Sequence, residues 1–569
     1  VCGICGAAWN SPDQAIEPDQ LAAMTDRLRH RGPDDAGTYR DDHATLGFRR
    51  LSIVDLEGGH QPLSNEDGTI WVAFNGEIYN FPALRNRLEA RGHTLRSAGD
   101  TEVLVHLYED EGPSFFEHLR GMFALAIWDA PRRRLVLGRD RLGQKPLLYR
   151  LEPDRITFAS ELKALLALPE SIVPRAIDPR ALDQYLTYGY VPHPATILES
   201  VRKMPPAHYG VWHDGAFALH RYWDPDWSAT LDGLPPGEDV ERLRALLTEA
   251  VREQMVADVP LGAFLSGGID STVIVGLMQS VSDRPVRTFA IGFDDPAFDE
   301  RRFAAAAAAH LGTEHHAFVV EPDAWSALPA LAEQLDEPFA DSSALPTWFV
   351  ARETRRHVTV ALTGDAGDEL FAGYDRYRAL ALTARAEALP PSVRRWIAGP
   401  MARALPVSSK AKTPLRKVRR LLEALADPPE TRYTRWMTLF DEPSRLALYS
   451  DAALERLAEA DARDPDHADP ASILARAQDR APGRDPVTRA QVADLHTYLP
   501  DDLLYKVDMA SMAHSLECRG PFLDHRVVEL ALALPIARKQ DPRAGRSKIV
   551  LKEAFPDLIP APLRNRPKM

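Results

Sequence analysis

Apolar positions follow two different rhythms along this chain. Up to about residue 210 they come in short β-type runs separated by turn residues, as at 44–54, at 70–74 with the turn Asn75-Gly76, and at 135–139. Two stretches here carry helical spacing, 18–29 and 82–91, the second closed by Gly92. The mixture predicts an α+β layered domain whose chain begins in a strand. A Pro/Gly/Asp-rich stretch at 224–239 reads as a linker. From Val240 the pattern changes to strand–helix alternation. Helix 240–255 precedes an apolar run at 260–265, a glycine loop and helix 271–280. Strand 287–293, the alanine-rich helix 299–311 closed by Gly312, and a buried-strand run at 358–362 follow. Repeated βα units imply a mostly parallel sheet covered by helices. Residues 376–494 are helical in pattern, and the Asp/Ala/Pro/Arg-rich 461–486 is expected to be a surface excursion.

Length changes the picture first: 569 residues exceed one core, so two or more domains are expected. A net charge of -14 argues against general affinity for nucleic acid or an anionic membrane. The basic runs 352–356 and 410–420 read as solvated helix faces. Three cysteines, Cys2, Cys5 and Cys518, fit a reducing cytoplasm without disulfides. Cys2 and Cys5 form a C-x-x-C, which could serve redox chemistry or half a zinc site, but no second cysteine pair accompanies it.

Candidate chemistry starts at Cys2. With Val1 removed, its thiol would share a residue with a free α-amine of reference pKa ~8, able to take the thiol proton. We read Val1 as a valine-type start codon whose initiator is trimmed. The alternative is a small apolar residue in a first strand. Asn75-Gly76 offers a side-chain amide beside a glycine N–H, the parts of an oxyanion hole, or else a hairpin turn. Asp100 could hold a substrate ammonium or cap a helix. In the second half, Ser266-Gly267-Gly268-Ile269-Asp270-Ser271 follows an apolar strand and opens a helix. That context suits a polyphosphate, with Asp270 sharing Mg2+. Thr363-Gly364-Asp365-Ala366-Gly367-Asp368-Glu369 forms a second loop of this kind, a metal or nucleotide edge or an acidic helix cap.

Together these segments resemble the glutamine-dependent asparagine synthetases, in the same order from Cys2 to Lys568. The first half is similar to class II glutamine amidotransferases through Cys2-Gly3-Ile4, the Arg31 and Arg50 segments, Asn75-Gly76-Glu77, Asp100, and Arg139-Asp140 through Lys145-Pro146. The second half resembles their synthetase domain, further matches being Asp336-Glu337-Pro338-Phe339, Asp341-Ser342-Ser343 and Pro521-Phe522-Leu523-Asp524. The resemblance implies an α+β N-terminal-nucleophile (αββα) domain at 2–215, a linker at 216–239, and an α/β parallel-sheet ATP-pyrophosphatase domain with added helices at 240–569. It implies that Cys2 attacks glutamine, with Asn75 and Gly76 on the oxyanion and Arg50, Glu77 and Asp100 binding the substrate. Leu265, Ser266, Gly267, Gly268, Asp270, Ser271, Ile291, Thr363 and Gly364 would meet ATP, and Asp270 and Asp368 would hold Mg2+. Asp365 would act as a base for ammonia, and Lys568 would neutralise charge during adenylation. The implied carbon–nitrogen ligase forms aspartyl-AMP and amidates it, acting in the cytoplasm on L-glutamine, L-aspartate and ATP, with a homodimer allowed. The alternatives are the same mechanism on another carboxylate, or a glutaminase with an inactive second domain. Ala366 stands where glycine is usual and Gly520 where valine is usual. The family continues for tens of residues past Met569, so a C-terminal truncation and weakened adenylation are expected.

Overall fold

A computed structural model describes residues 2–292, 299–319, 326–386, 390–405, 414–463, 469–564 and 566. Val1, Phe293, Lys410 and Lys568, each invoked above, lie outside these residues. Twelve strands of the first part are β1 (Gly3–Trp9), β2 (Asp35–Arg40), β3 (Ala44–Arg50), β4 (Leu63–Ser64), β5 (Ile70–Ile78), β6 (Gly121–Asp129), β7 (Arg134–Arg139), β8 (Leu148–Leu151), β9 (Arg155–Ala159), β10 (Arg202–Lys203), β11 (His208–His213) and β12 (Ala216–Arg221). Among the described residues they form two six-stranded sheets, ordered β10-β8-β9-β1-β3-β2 and β12-β11-β7-β6-β5-β4, with antiparallel pairing.

The period-2 alternation of side chains explains the layers. On β1, Ile4 and Ala8 face inward with Cys2, against Ala73, Ala124 and Ala126 of the second sheet. Cys5, Ala7 and Trp9 face outward onto Leu21 and Met24 of helix α1 (Pro18–Asp26). The outer face of the second sheet, with Val72, Phe74 and Leu125, packs on α2 (Phe81–Ala90) and α3 (Glu102–Glu111). This is the expected helix–sheet–sheet–helix order of an N-terminal-nucleophile domain. It also settles the C-x-x-C: Cys2 and Cys5 point to opposite faces of one strand, and all three cysteines are free.

The second part is built on a parallel sheet ordered β15-β14-β13-β16-β17, comprising β13 (Leu261–Phe264), β14 (Arg287–Gly292), β15 (Glu314–Val319), β16 (Val360–Leu362) and β17 (Glu517–Arg519). Because β13 pairs directly with β16, the loops leaving their C-terminal ends lie side by side. Leu51, Ile53, Met122 and Leu142 of the first part join the core of this sheet with Leu265, Val273 and Leu362. The two parts therefore share one apolar cluster.

Four expectations are corrected. No turn occurs at Asn75-Gly76: β5 runs through both, paired to Ala124 and Phe123. Gly76 is required by proximity, since a Cβ there would lie 2.1 Å from the Met122 carbonyl oxygen. The second sheet continues through β12 to Arg221, past the boundary expected at 215. The stretch at 224–239 is docked rather than free, with Trp227 buried and the Leu231 N–H donating to the Ala533 carbonyl at 2.9 Å. Within 461–486, helix Ala471–Asp479 buries Leu474 and Ala477, so that stretch is not a surface excursion.

Candidate functional sites

Cys2 lies at the edge of the inter-sheet layer, where strand parity also aims Asn75 inward. The Cys2 backbone N–H donates to Asn75 Oδ1 at 2.9 Å. Asn75 is fully buried, and its Nδ2 has no hydrogen-bond partner among the described residues. A buried amide donor left open beside a thiol is suited to a developing oxyanion. Burial pushes the Cys2 thiol up, opposed by the Leu51 backbone N–H and the Arg50 guanidinium. A resting thiol in this state needs a base to become a nucleophile.

The cavity at Cys2 is lined also by Arg50, Gly76, Glu77, Ser97, Asp100 and Thr101. Arg50 leaves the end of β3, and its guanidinium donates to the carbonyls of Leu56, Val54 and Asp55 at 3.0, 3.2 and 2.6 Å. Those bonds fix a cation at one end of the cavity. Asp100 accepts from the Ile78 N–H at 2.8 Å, and burial pushes its carboxyl up to about 6. It is therefore a carboxylate at neutral pH, within the wall facing Cys2. Arg50, Asp100, Cys2 and Asn75, expected from separate segments, are thus brought together.

The two loops of the parallel sheet interlock through missing side chains. A Cβ on Gly364 would lie 2.8 Å from Ser271 N, and one on Gly367 would lie 2.4 Å from Asp270 Cγ. Ser266 Oγ lies 3.1 Å from Ser271 Oγ and accepts from the Gly268 N–H at 3.2 Å. Ala366 adopts φ 71°, a left-handed conformation unfavourable to a residue with a Cβ. Asp365 is partly buried, accepts from Thr363 Oγ1 at 2.6 Å, and has its carboxyl raised by desolvation. Leu265 is buried in the core, and Ile291 lines a separate cavity with Trp348, Phe349 and Arg352. Arg352 there stacks over both rings while its side chain stays 42% exposed.

Sequence reasoning missed Lys548. Its ammonium pairs with Asp270 Oδ2 and, at 2.5 Å, with Asp368 Oδ1. Two carboxylates from different loops therefore converge on one cationic position, and a donor set of hard oxygens fits Mg2+. No motif marks Lys548, which reaches the site from 180 residues farther along the chain.

Two family models match successive segments of the chain. The family model described as asparagine synthase matches residues 242–569, and that described as glutamine amidotransferase domain matches 1–223. The chain belongs to the asparagine synthetase family. It is 35% identical to asparagine synthetase [glutamine-hydrolyzing] 1 of Bacillus subtilis, covering 100% of this chain and 86% of that one. Identity to asparagine synthetase [glutamine-hydrolyzing] 3 of the same organism is 30%, with the same coverage. Amidase chry2 of Gibberella zeae is 29% identical over 97% of this chain and 84% of its own.

In this family member buried charges join the two sites. Arg31 donates from Nε to the Cys2 carbonyl at 3.0 Å and pairs with Glu161 at 2.7 Å and Asp508 at 2.8 Å. Lys145 pairs with the other Asp508 oxygen at 3.0 Å, and both line a small cavity with Asp365. Arg519 makes a second link. Its side chain meets Glu517 at 2.5 Å and Glu77 at 3.5 Å and donates to the Gln254 and Val256 carbonyls, each at 2.7 Å. Its backbone oxygen accepts from the Thr363 N–H at 2.8 Å. One residue thus touches both the Cys2 cavity wall and the loop that follows β16. Arg31 and Lys145 stood in the quoted motifs; Arg519 and Glu517 carried no signal. Among the described residues no helix is long and apolar enough to cross a membrane.

Proposed function

We propose that this protein is a glutamine-dependent asparagine synthetase, with an amidotransferase domain at 2–221 and a synthetase domain from about 240 onward. The observation that carries the reading is the pairing of Cys2 with the open Asn75 amide, buried-charge-linked to two interlocked glycine loops. In a chain starting at Cys2, the α-amine takes the thiol proton and the sulfur attacks the glutamine amide carbon. Asn75 Nδ2 and the Gly76 N–H hold the oxyanion as ammonia leaves, and water then releases glutamate from the thioester. Arg50 holds the substrate carboxylate and Asp100 its ammonium. At the second site the aspartate β-carboxylate attacks the α-phosphorus of ATP and pyrophosphate leaves. Ammonia, losing a proton to Asp365, displaces AMP. Asp270 and Asp368 would hold Mg2+, whose charge offsets that of the triphosphate. Lys568, outside the described residues, stays assigned to the adenylation step.

The test is ATP–pyrophosphate exchange with a panel of carboxylates. Exchange supported by L-aspartate is expected, and Asp270→Asn should suppress it. Exchange with another carboxylate but none with aspartate would overturn the asparagine assignment in favour of amidation of that acceptor.

The pH dependence follows from Asp100. A substrate ammonium needs the carboxylate, so as pH falls through about 6 the KM for glutamine should rise, by about tenfold per unit well below that value. Ammonia-dependent synthesis should lack this limb. Since burial raises the folded-state value above an unfolded one near ~3.9, Asp100 costs stability at neutral pH. That cost is relieved as pH falls from about 6 toward 4. Steady-state kinetics between pH 5 and pH 8 check the catalytic limb, and a pH-independent glutamine KM would contradict it.

A further inference from the structure

On the helical outer face of the amidotransferase part four potential ligands converge. Glu66 lies in the turn between β4 and β5, and His93 follows α2. His106 and Glu109 stand three residues apart on one face of α3. One ligand atom from each lies within 4.8 Å of all the others. Glu66 bridges the two imidazoles, with Oε1 3.4 Å from His93 Nδ1 and Oε2 3.2 Å from His106 Nδ1. Glu109 Oε2 lies 3.8 Å from the same His106 nitrogen. Ligands about 2.0–2.1 Å from a tetrahedral Zn2+ stand about 3.4 Å apart, so these spacings are those of a site just wider than its closed form.

Three observations favour a cation over a simple ion-pair cluster. His106 is fully buried, yet neither ring nitrogen makes a hydrogen bond of acceptable geometry among the described residues. Unbonded imidazole in a closed site is costly unless something else uses its lone pair. Each histidine also has a carboxylate behind its far nitrogen, as metal-bound imidazoles do. His93 Nε2 lies 3.1 Å from Asp110 Oδ1, itself held by Arg91 at 2.9 Å. His106 Nε2 faces Glu102 Oε1 at 3.7 Å, and Glu102 is fixed by the Arg96 and Ser97 backbone N–H groups. Finally, Glu66 is tied to the segment it would clamp, accepting from the Thr94 N–H at 3.3 Å and, through its carbonyl, from Arg96 Nη2 at 2.9 Å.

We propose that Glu66, His93, His106 and Glu109 bind one first-row divalent cation of the Zn2+ type, a structural site that fastens the segment carrying Asp100. Two imidazoles and two carboxylates suit Zn2+ better than Mg2+ or Ca2+, which prefer all-oxygen shells. The clamped stretch from His93 to His106 includes Ser97, Asp100 and Thr101 of the Cys2 cavity wall. Cation binding would therefore order that wall without touching substrate.

The test is calorimetric titration of the chelator-treated full chain with Zn2+ alone, repeated on Cys2→Ala so that thiol binding is counted apart. One equivalent should bind in both. Glu66→Gln and Glu109→Gln, at half-exposed positions that leave the core intact, should weaken it by about 100-fold. Asp110→Asn should weaken it by about 10- to 100-fold. Co2+ in place of Zn2+ should give the intense visible bands of a tetrahedral site, absent in both Glu variants. Hydrogen exchange at 93–101 should slow on cation addition in the parent and Cys2→Ala chains and not in the two Glu variants. No binding to the Cys2→Ala chain, or binding that both Glu variants retain, would overturn the proposal and leave an ion-paired histidine cluster. Neither result bears on the ligase reaction, which is read separately by pyrophosphate exchange.

Discussion

Cys2→Ala should lower glutamine-dependent product formation by about four orders of magnitude or more while synthesis from added ammonium salts persists. The asymmetry follows from where Cys2 sits. It is a small buried side chain at the end of an antiparallel sheet, so loss of its sulfur removes a nucleophile but little packing. The parallel sheet, its two loops and Lys548 draw on other residues entirely. Measuring product with glutamine and with ammonium in parallel decides the matter. Loss of both activities would assign Cys2 a structural role.

The second large effect is expected at Arg519. This guanidinium is buried against Glu517 and Glu77 and carries two backbone carbonyls. Arg519→Met leaves Glu517 and the two carbonyls without their donor and Glu77 without its cation, at a cost of about 3–5 kcal/mol, read as an earlier denaturant transition. It should also weaken communication, because Arg519 touches Thr363 through its backbone and Glu77 through its side chain. Glu77→Gln separates the two effects. It keeps the Glu517 pair and the fold, yet loosens the contact with the Cys2 cavity. In that variant, glutamine hydrolysis should respond less to ATP and acceptor than in the parent chain. An unchanged response would confine Arg519 to a structural role.

How far the sequence reached depended on whether chemistry lay in a contiguous segment. The βα alternation, the glycine loops and their adjacency were readable because each strand, loop and helix is local, and strand pairing then aligns the loops. Cys2, Arg50, Asn75 and Asp100 were found because each stood in its own motif. Asn75-Gly76 was misread as a turn because N-G is the strongest short hairpin signal, and only the close Met122 carbonyl explains a glycine inside β5. Lys548, Arg519 and the Glu66–His93–His106–Glu109 cluster were invisible for the opposite reason. Their partners come from distant segments, and an isolated Lys, Arg or His has no pattern until the fold closes. The described part of 461–486 was misjudged from composition, although its apolar Leu474 and Ala477 keep helical spacing.

The most direct measurement supplies the purified protein with ATP, Mg2+, L-aspartate and glutamine labelled with nitrogen-15 in its amide, and follows products by mass spectrometry. Labelled asparagine should form, with one AMP and one pyrophosphate per amide transferred. ADP and phosphate in place of AMP and pyrophosphate, or labelled ammonia released with aspartate left unchanged, would contradict the account.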